Sequence, residues 1–166
     1  MRWVPIACAL GVAAATMSAS VSGQAADNAI NPRSLALQRQ GEAALAAGQY
    51  EAADDALETA LIADPRNRAA FIDLARVSQK QELYGQAIRY TNKALLLEPN
   101  DLVAIGVQGE AMVDLGAVAR AQQNLAKLKT LCGTKPCPPA TGLAAAIARG
   151  PAVAETKPAA SAPKKN

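Results

Sequence analysis

The chain has 166 residues, a formal charge of +3 and no histidine, and it is rich in alanine but only 3% aromatic. Without histidine, serine–histidine and cysteine–histidine catalysis are excluded, and no alternating β-branched run predicts a sheet. The basic excess lies at the two ends, so the middle of the chain is close to neutral. We therefore expect an all-α protein that is not an enzyme and does not bind nucleic acid.

The N-terminal segment has the features of a secretory signal. Arg2 provides a positive start, the run Trp3–Met17 is apolar and uncharged, and small residues precede Ala26. This pattern predicts a signal peptide over residues 1–25, cleaved near Ala25 or Ala26, and a periplasmic location. A retained membrane anchor is the alternative, but the apolar run is short for a span.

A 34-residue register runs through the centre of the chain. Identical residues recur 34 positions apart at Tyr50 and Tyr84, at Ala60 and Ala94, and at Pro65 and Pro99. The same step gives one column of large residues (Leu37, Phe71, Ile105) and one of small residues (Gly41, Ala75, Gly109). A fixed period of this length predicts stacked helix–turn–helix units in which two helices cross closely at the small residue.

These columns resemble the tetratricopeptide repeat family, in which a large residue, a small residue, a Gly–x–Tyr turn, two alanines and a proline recur. The resemblance implies a short right-handed α-solenoid with units at residues 34–67, 68–101 and 102–135, after a linker at 26–33. The third unit departs from the pattern at Leu128 and Gly133. The positions assigned to repeat packing are Leu37, Gly41, Tyr50, Ala53, Ala60, Pro65, Phe71, Leu74, Ala75, Tyr84, Ala87, Ala94, Pro99, Ile105 and Gly109.

Two cysteines remain after cleavage, Cys132 and Cys137. Redox motifs usually place the pair two residues apart, and a zinc site needs further ligands that this chain lacks. An even count in an oxidising compartment, with a turn sequence between the two, favours a structural disulfide.

The segment that follows the third unit predicts a cap. In residues 136–149 a proline start is followed by apolar positions on one helical face, which suits a disulfide-stapled capping helix over the last repeat. Residues 150–166 are an Ala/Pro/Lys tail that we expect to be disordered.

The resemblance also implies where a ligand would bind, on the inner face of the first helix of each unit. Position by position, this face comprises Leu35, Gln38, Glu42, Leu45, Ala69, Ile72, Arg76, Gln79, Lys80, Val103, Gly106, Glu110, Val113 and Asp114. Family members that clamp a carboxylate have Lys and Asn where this chain has Gln38 and Glu42, so that mode is not implied here.

Two hypotheses remain open. One is a scaffold or adaptor that binds a protein segment in the groove, and the other is a self-associating structural component of an envelope assembly. Neither requires a cofactor, a metal or a small-molecule substrate. The paired acids Asp54–Asp55 are interpreted as first-turn residues that favour the helix dipole, and the spacing of Glu110–Asp114 is interpreted as that of a solvated helix face.

Overall fold

The computed structural model describes residues 29–152, which form seven α-helices and no strand. The predicted signal peptide, the first residues of the linker and most of the tail lie outside that range. The helices are α1 (Pro32–Ala46), α2 (Tyr50–Ala63), α3 (Arg68–Lys80), α4 (Tyr84–Leu97), α5 (Leu102–Asp114), α6 (Val118–Cys132) and α7 (Pro138–Arg149). Within residues 29–152, none of these helices is long and apolar enough to cross a membrane.

The first six helices pair in chain order as hairpins. α1 packs on α2, α3 on α4 and α5 on α6, and successive hairpins stack through contacts of α2 with α3 and of α4 with α5. The seventh helix packs on both α5 and α6 at the end of the stack. The prediction of an all-α solenoid with a small terminal helix is confirmed.

Side-chain caps start the first helix of each hairpin. Asn67 Oδ1 accepts from the backbone N–H of Ala70 at 3.2 Å, and Asp101 Oδ1 accepts from that of Ala104 at 2.7 Å. Such caps pair backbone donors that have no partner inside the helix. At α1 the cap is Asn31, followed by Pro32, so the helix begins two residues earlier than the predicted linker allowed. Proline is favoured at this position because its φ is already helical.

The turn after each of the helices α1, α3, α5 and α7 contains one residue with positive φ. These residues are Gly48 (74°), Glu82 (62°), Gly116 (86°) and Gly150 (84°). Three of the four are glycine, which adopts this conformation without a steric cost. They are 34 residues apart, so α7 occupies the register of the first helix of a fourth hairpin.

The closest helix approaches occur at glycines. A Cβ placed on Gly41 would lie 2.5 Å from Leu57 Cγ, and one placed on Gly109 would lie 2.5 Å from Leu143 Cδ2. The contact at Gly41 joins the two helices of one hairpin, as predicted. At Gly109 the closest side chain comes from α7 instead, which corrects the prediction of a purely intra-hairpin column. Leu143 of α7, which is fully buried, fills this site.

Most of the assigned packing positions are buried or half-buried. Ala53, Ala60, Leu74, Ala75, Ala87 and Ala94 have no exposed surface, and Ile105 has 1%. Leu37, Tyr50, Phe71 and Tyr84 are half-buried. Pro65 and Pro99 are exposed in the turns between hairpins, so their assignment to packing is corrected. They act through the backbone, since proline does not continue the preceding helix.

The two cysteines flank the last inter-helix loop. Cys132 ends α6, Cys137 precedes α7, and their Cα atoms are 6.0 Å apart, with the sulfur atoms at 2.10 Å. That Cα separation is typical of a disulfide. Beyond the loop, α7 buries Leu143 and Ala146 in the same core as Leu128.

We predict that Gly109→Ala destabilises the terminal part of the fold by roughly 1–3 kcal/mol, because the added methyl group would overlap Leu143. The matched control is Gly85→Ala in α4, where a Cβ would meet no atom within 4 Å. Alanine favours the helix more than glycine does, so the control should be neutral or slightly stabilising. Chemical denaturation measures both. Equal stabilities of the two variants would contradict the close approach of α5 and α7.

Candidate functional site

The helices α1, α3, α5 and α7 jointly border one groove, which we name the central groove. It has a volume of about 440 Å³ and is lined by Leu45, Arg76, Gln79, Lys80, Glu110, Asp114, Gly142, Ala146 and Arg149. Apart from Gly142, these residues lie in the second half of their helices, towards the turns that contain the positive-φ residues. The groove is therefore built from rigid helices.

Arg76 is held in place by an acid beneath the groove. Its Nη1 lies 2.8 Å from Asp73 Oδ1, and the other carboxylate oxygen accepts from Gln38 Nε2 at 3.1 Å. Asp73 is 2% exposed, and this burial raises its pKa, while the positive charge of Arg76 opposes the shift. Removing Arg76 would leave a buried carboxylate without its counter-charge, so this arginine has a structural role as well as a place on the groove.

Two other charged groups on the groove, Lys80 and Glu110, form no ion pair within residues 29–152. Lys80 is exposed, and within residues 29–152 it forms neither a hydrogen bond nor an ion pair. Glu110 is half-buried and likewise has no hydrogen-bonding partner in the described part of the chain. Burial raises the pKa of Glu110, and the neighbouring charge of Asp114 adds to the shift. Asp114 itself pairs with Arg149 of α7, with an Oδ1–Nη2 distance of 3.3 Å.

The charges alternate in sign from helix to helix. Arg149 is positive on α7, Glu110 and Asp114 are negative on α5, Arg76 and Lys80 are positive on α3, and Glu42 is negative on α1. Glu42 lies near enough to Asp73 to raise the pKa of that carboxyl group, which places it on the side of α1 that faces α3. An extended ligand that crosses the helices would therefore meet charges of alternating sign.

The structure brings together six of the residues that the sequence analysis assigned to the groove: Leu45, Arg76, Gln79, Lys80, Glu110 and Asp114. Glu42 and Val103 are exposed on α1 and α5 but do not line it. Leu35 and Ala69 border a separate depression at the opposite ends of the helices, beside Leu97.

Four assigned positions are not available to a ligand. Ile72 and Val113 are core residues with 5% and 0% exposure, and Gln38 is buried against Asp73. Gly106 is buried, and Pro139 of α7 lies above it. The assignment of Ile72 and Val113 to the groove surface is thus corrected. The physical reason for Val113 and Gly106 is that α7 helps to cover α5.

The sequence analysis missed the contribution of α7, which supplies Gly142, Ala146 and Arg149 to the groove. A signal was present, because Gly150 follows Gly116 by the repeat step of 34 residues. That step would have placed residues 138–149 beside α5, as the next helix in the same row.

The acidic groups do not form a metal centre. Within residues 29–152, no cluster of three or more His, Cys, Asp or Glu side chains could hold a metal ion. Of the two acids Glu110 and Asp114, Asp114 forms an ion pair with Arg149, whereas Glu110 has no hydrogen-bond or ion-pair partner within residues 29–152.

Comparison with known proteins supports the repeat assignment. A family model described as tetratricopeptide repeat matches residues 44–106. The second TPR domain of human RPAP3, in complex with the HSP70 peptide SGPTIEEVD, is a similar solved structure, with a TM-score of 0.62 and 22% identity over 70% of this chain and 95% of that chain. No curated protein matches the sequence.

Two further structures show the same fold. The TPR2B domain of yeast Sti1, in a pHsp70 complex, has a TM-score of 0.65 and 16% identity over 72% of this chain and 98% of that chain. The Yersinia enterocolitica type III secretion translocator chaperone SycD has a TM-score of 0.65 and 17% identity over 72% of this chain and 92% of that chain. The stacked hairpins and these matches show that the chain has the fold of tetratricopeptide repeat proteins, and the family model itself covers residues 44–106.

Proposed function

We propose that this protein is a non-catalytic adaptor that binds a segment of a partner protein in the central groove. The observation that carries the proposal is the groove itself, in which α3, α5 and α7 present charges of alternating sign and Lys80 and Glu110 have no partner within residues 29–152. The helical backbone that presents these groups is already ordered before binding, which favours recognition of an extended segment. The function needs no cofactor, metal or small-molecule substrate.

The similar structures support a peptide ligand in general terms. RPAP3 and Sti1 are described in complexes with chaperone peptides or proteins, and SycD is described as a chaperone of secretion translocators. The chemistry of this groove differs from a purely cationic clamp, since Gln38 is bonded to Asp73 and Glu42 is acidic. We infer that its ligand carries both charge signs.

We further propose that the protein acts in the periplasm. This rests on the leader sequence over residues 1–25, which lies outside the described residues, and on the two mature cysteines. The Cα separation of 6.0 Å between Cys132 and Cys137 allows the disulfide that an oxidising compartment favours.

A second function, self-association, is favoured by one surface feature. Ile62 and Leu96 occupy the same repeat position on α2 and α4 and are 84% and 77% exposed. Exposed large apolar side chains that recur at one register of the stack can pair with a second copy.

The adaptor proposal predicts that Lys80→Glu weakens capture of the partner by about fivefold, which corresponds to about 1 kcal/mol for one exposed ion pair. The readout is quantitative capture from envelope extract by the immobilised mature protein. Lys93→Glu is the matched control, because Lys93 is equally exposed on α4 and outside the groove. Both variants should melt at the wild-type temperature. Equal loss in both, or in neither, would contradict recognition in the groove.

Self-association predicts a mass that rises with concentration in analytical ultracentrifugation of the mature protein. Replacing Ile62 by Lys should abolish that rise, because it puts a charge in place of an exposed apolar side chain. A constant monomer mass over the dilution series would exclude this function and leave the adaptor.

Export with a disulfide predicts that protein recovered from the periplasm begins after Ala25 or Ala26 and has no free thiol. Reduction should lower its stability by about 2 kcal/mol, the loop-closure contribution of so short a loop, while its helix content remains. The variant with both Cys132 and Cys137 changed to Ser should resemble the reduced protein and not respond to reductant. Two titratable thiols in the periplasmic protein would refute the disulfide.

A further inference from the structure

The chain leaves the last helix at the edge of the central groove. Arg149, the final residue of α7, lines the groove and pairs with Asp114 of α5. Gly150 then turns the chain through a left-handed conformation, as the corresponding residues do after α1, α3 and α5. In the earlier hairpins a helix of 14 or 15 residues follows this turn, whereas after Gly150 the sequence has prolines at 158 and 163, which do not suit the interior of a helix of that length. Residues 153–166 lie outside the described part.

The charges that follow α7 match those of the groove in order. Read from α7 outwards, the groove is negative on α5 and positive on α3, and beyond its lining Glu42 is negative on α1. The chain carries Arg149, then Glu155, then Lys157, which is positive, negative, positive. The first of these three complementary contacts, Arg149 with Asp114, is present in the structure.

We propose that residues 153–157 cross the central groove as an intramolecular occupant, with Glu155 against Lys80 and Lys157 against Glu42. This gives Lys80 the partner that it lacks within residues 29–152. The contact of Arg149 with Asp114 starts the crossing, and the next two charges continue it.

The chain length suits this path. Glu155 is six residues after Arg149, and an extended segment of that length spans about 20 Å. The axes of packed helices are about 8–10 Å apart, so the step from α7 over α5 to α3 is about 16–20 Å. Lys157 lies about 7 Å further along an extended chain, and the length of its side chain covers the rest of the step to α1.

The contacts are exposed ion pairs, so the docked state is only partly populated, and its population decreases as ionic strength rises. Its consequence for capture rests on the proposed function: the segment would compete with the partner for the groove. If the groove is half occupied, removing the segment should tighten partner binding about twofold. The docking itself requires no partner.

The test is nuclear magnetic resonance of the mature protein, compared with a variant that ends at Ala152. Removing the segment should shift the amide resonances of Lys80 and Glu42, leave that of Lys93 unchanged, and have no such effect in about 1 M salt, where exposed pairs are screened. Shifts confined to residues next to the new terminus would overturn the proposal.

A second measurement uses the full mature chain and observes the segment. Lys80→Glu should move the Thr156 amide resonance towards its high-salt position, whereas Lys93→Glu should not. Adding Glu155→Lys to Lys80→Glu restores opposite charges and should return the resonance towards its wild-type position. No response to Lys80→Glu would overturn the inference, and the capture assay would still decide the adaptor function separately.

Discussion

The close approach of helices at residues with little or no side chain sets the geometry of this protein. At Gly41 the space that a Cβ would need is taken by Leu57, and at Gly109 it is taken by Leu143. Each contact brings a fully buried leucine against a neighbouring backbone. Packed helix surfaces tolerate neither a gap nor an extra methyl group, so these contacts fix where each helix lies relative to the next. The groove follows from that spacing.

The terminal helix shows how the same constraint produces both a cap and a functional surface. Leu143 and Ala146 of α7 close the end of the core, while Gly142 and Arg149 face the groove. A glycine at position 142 lets α7 lie close to the Glu110 carboxylate, because a Cβ there would be 3.0 Å from Glu110 Oε1. One face of α7 thus caps the core, and another face of the same helix borders the groove.

The charges of the groove fall into two kinds. Arg76 is tied to a buried acid, and Arg149 to Asp114, so both positions stabilise the arrangement of helices. Lys80 and Glu110 have no partner in the described part of the chain and are free to meet a ligand. Charge type alone does not separate the two kinds. The difference is that Arg76 pairs with the buried Asp73, whereas Lys80 has no partner within residues 29–152. Substitution of Lys80 therefore tests recognition with less effect on the fold than substitution of Arg76.

By itself, the sequence determined the helical class and the 34-residue step, because these depend on local periodicity and on small residues at fixed spacing. Its resemblance to the repeat family implied six of the groove residues. The tertiary structure decided the place of α7, the burial of Val113 beside it and the pairing of Arg76 with Asp73. Those features depend on which surfaces meet. Leu143 of α7 enters the site at Gly109, and no periodicity within one helix specifies that contact.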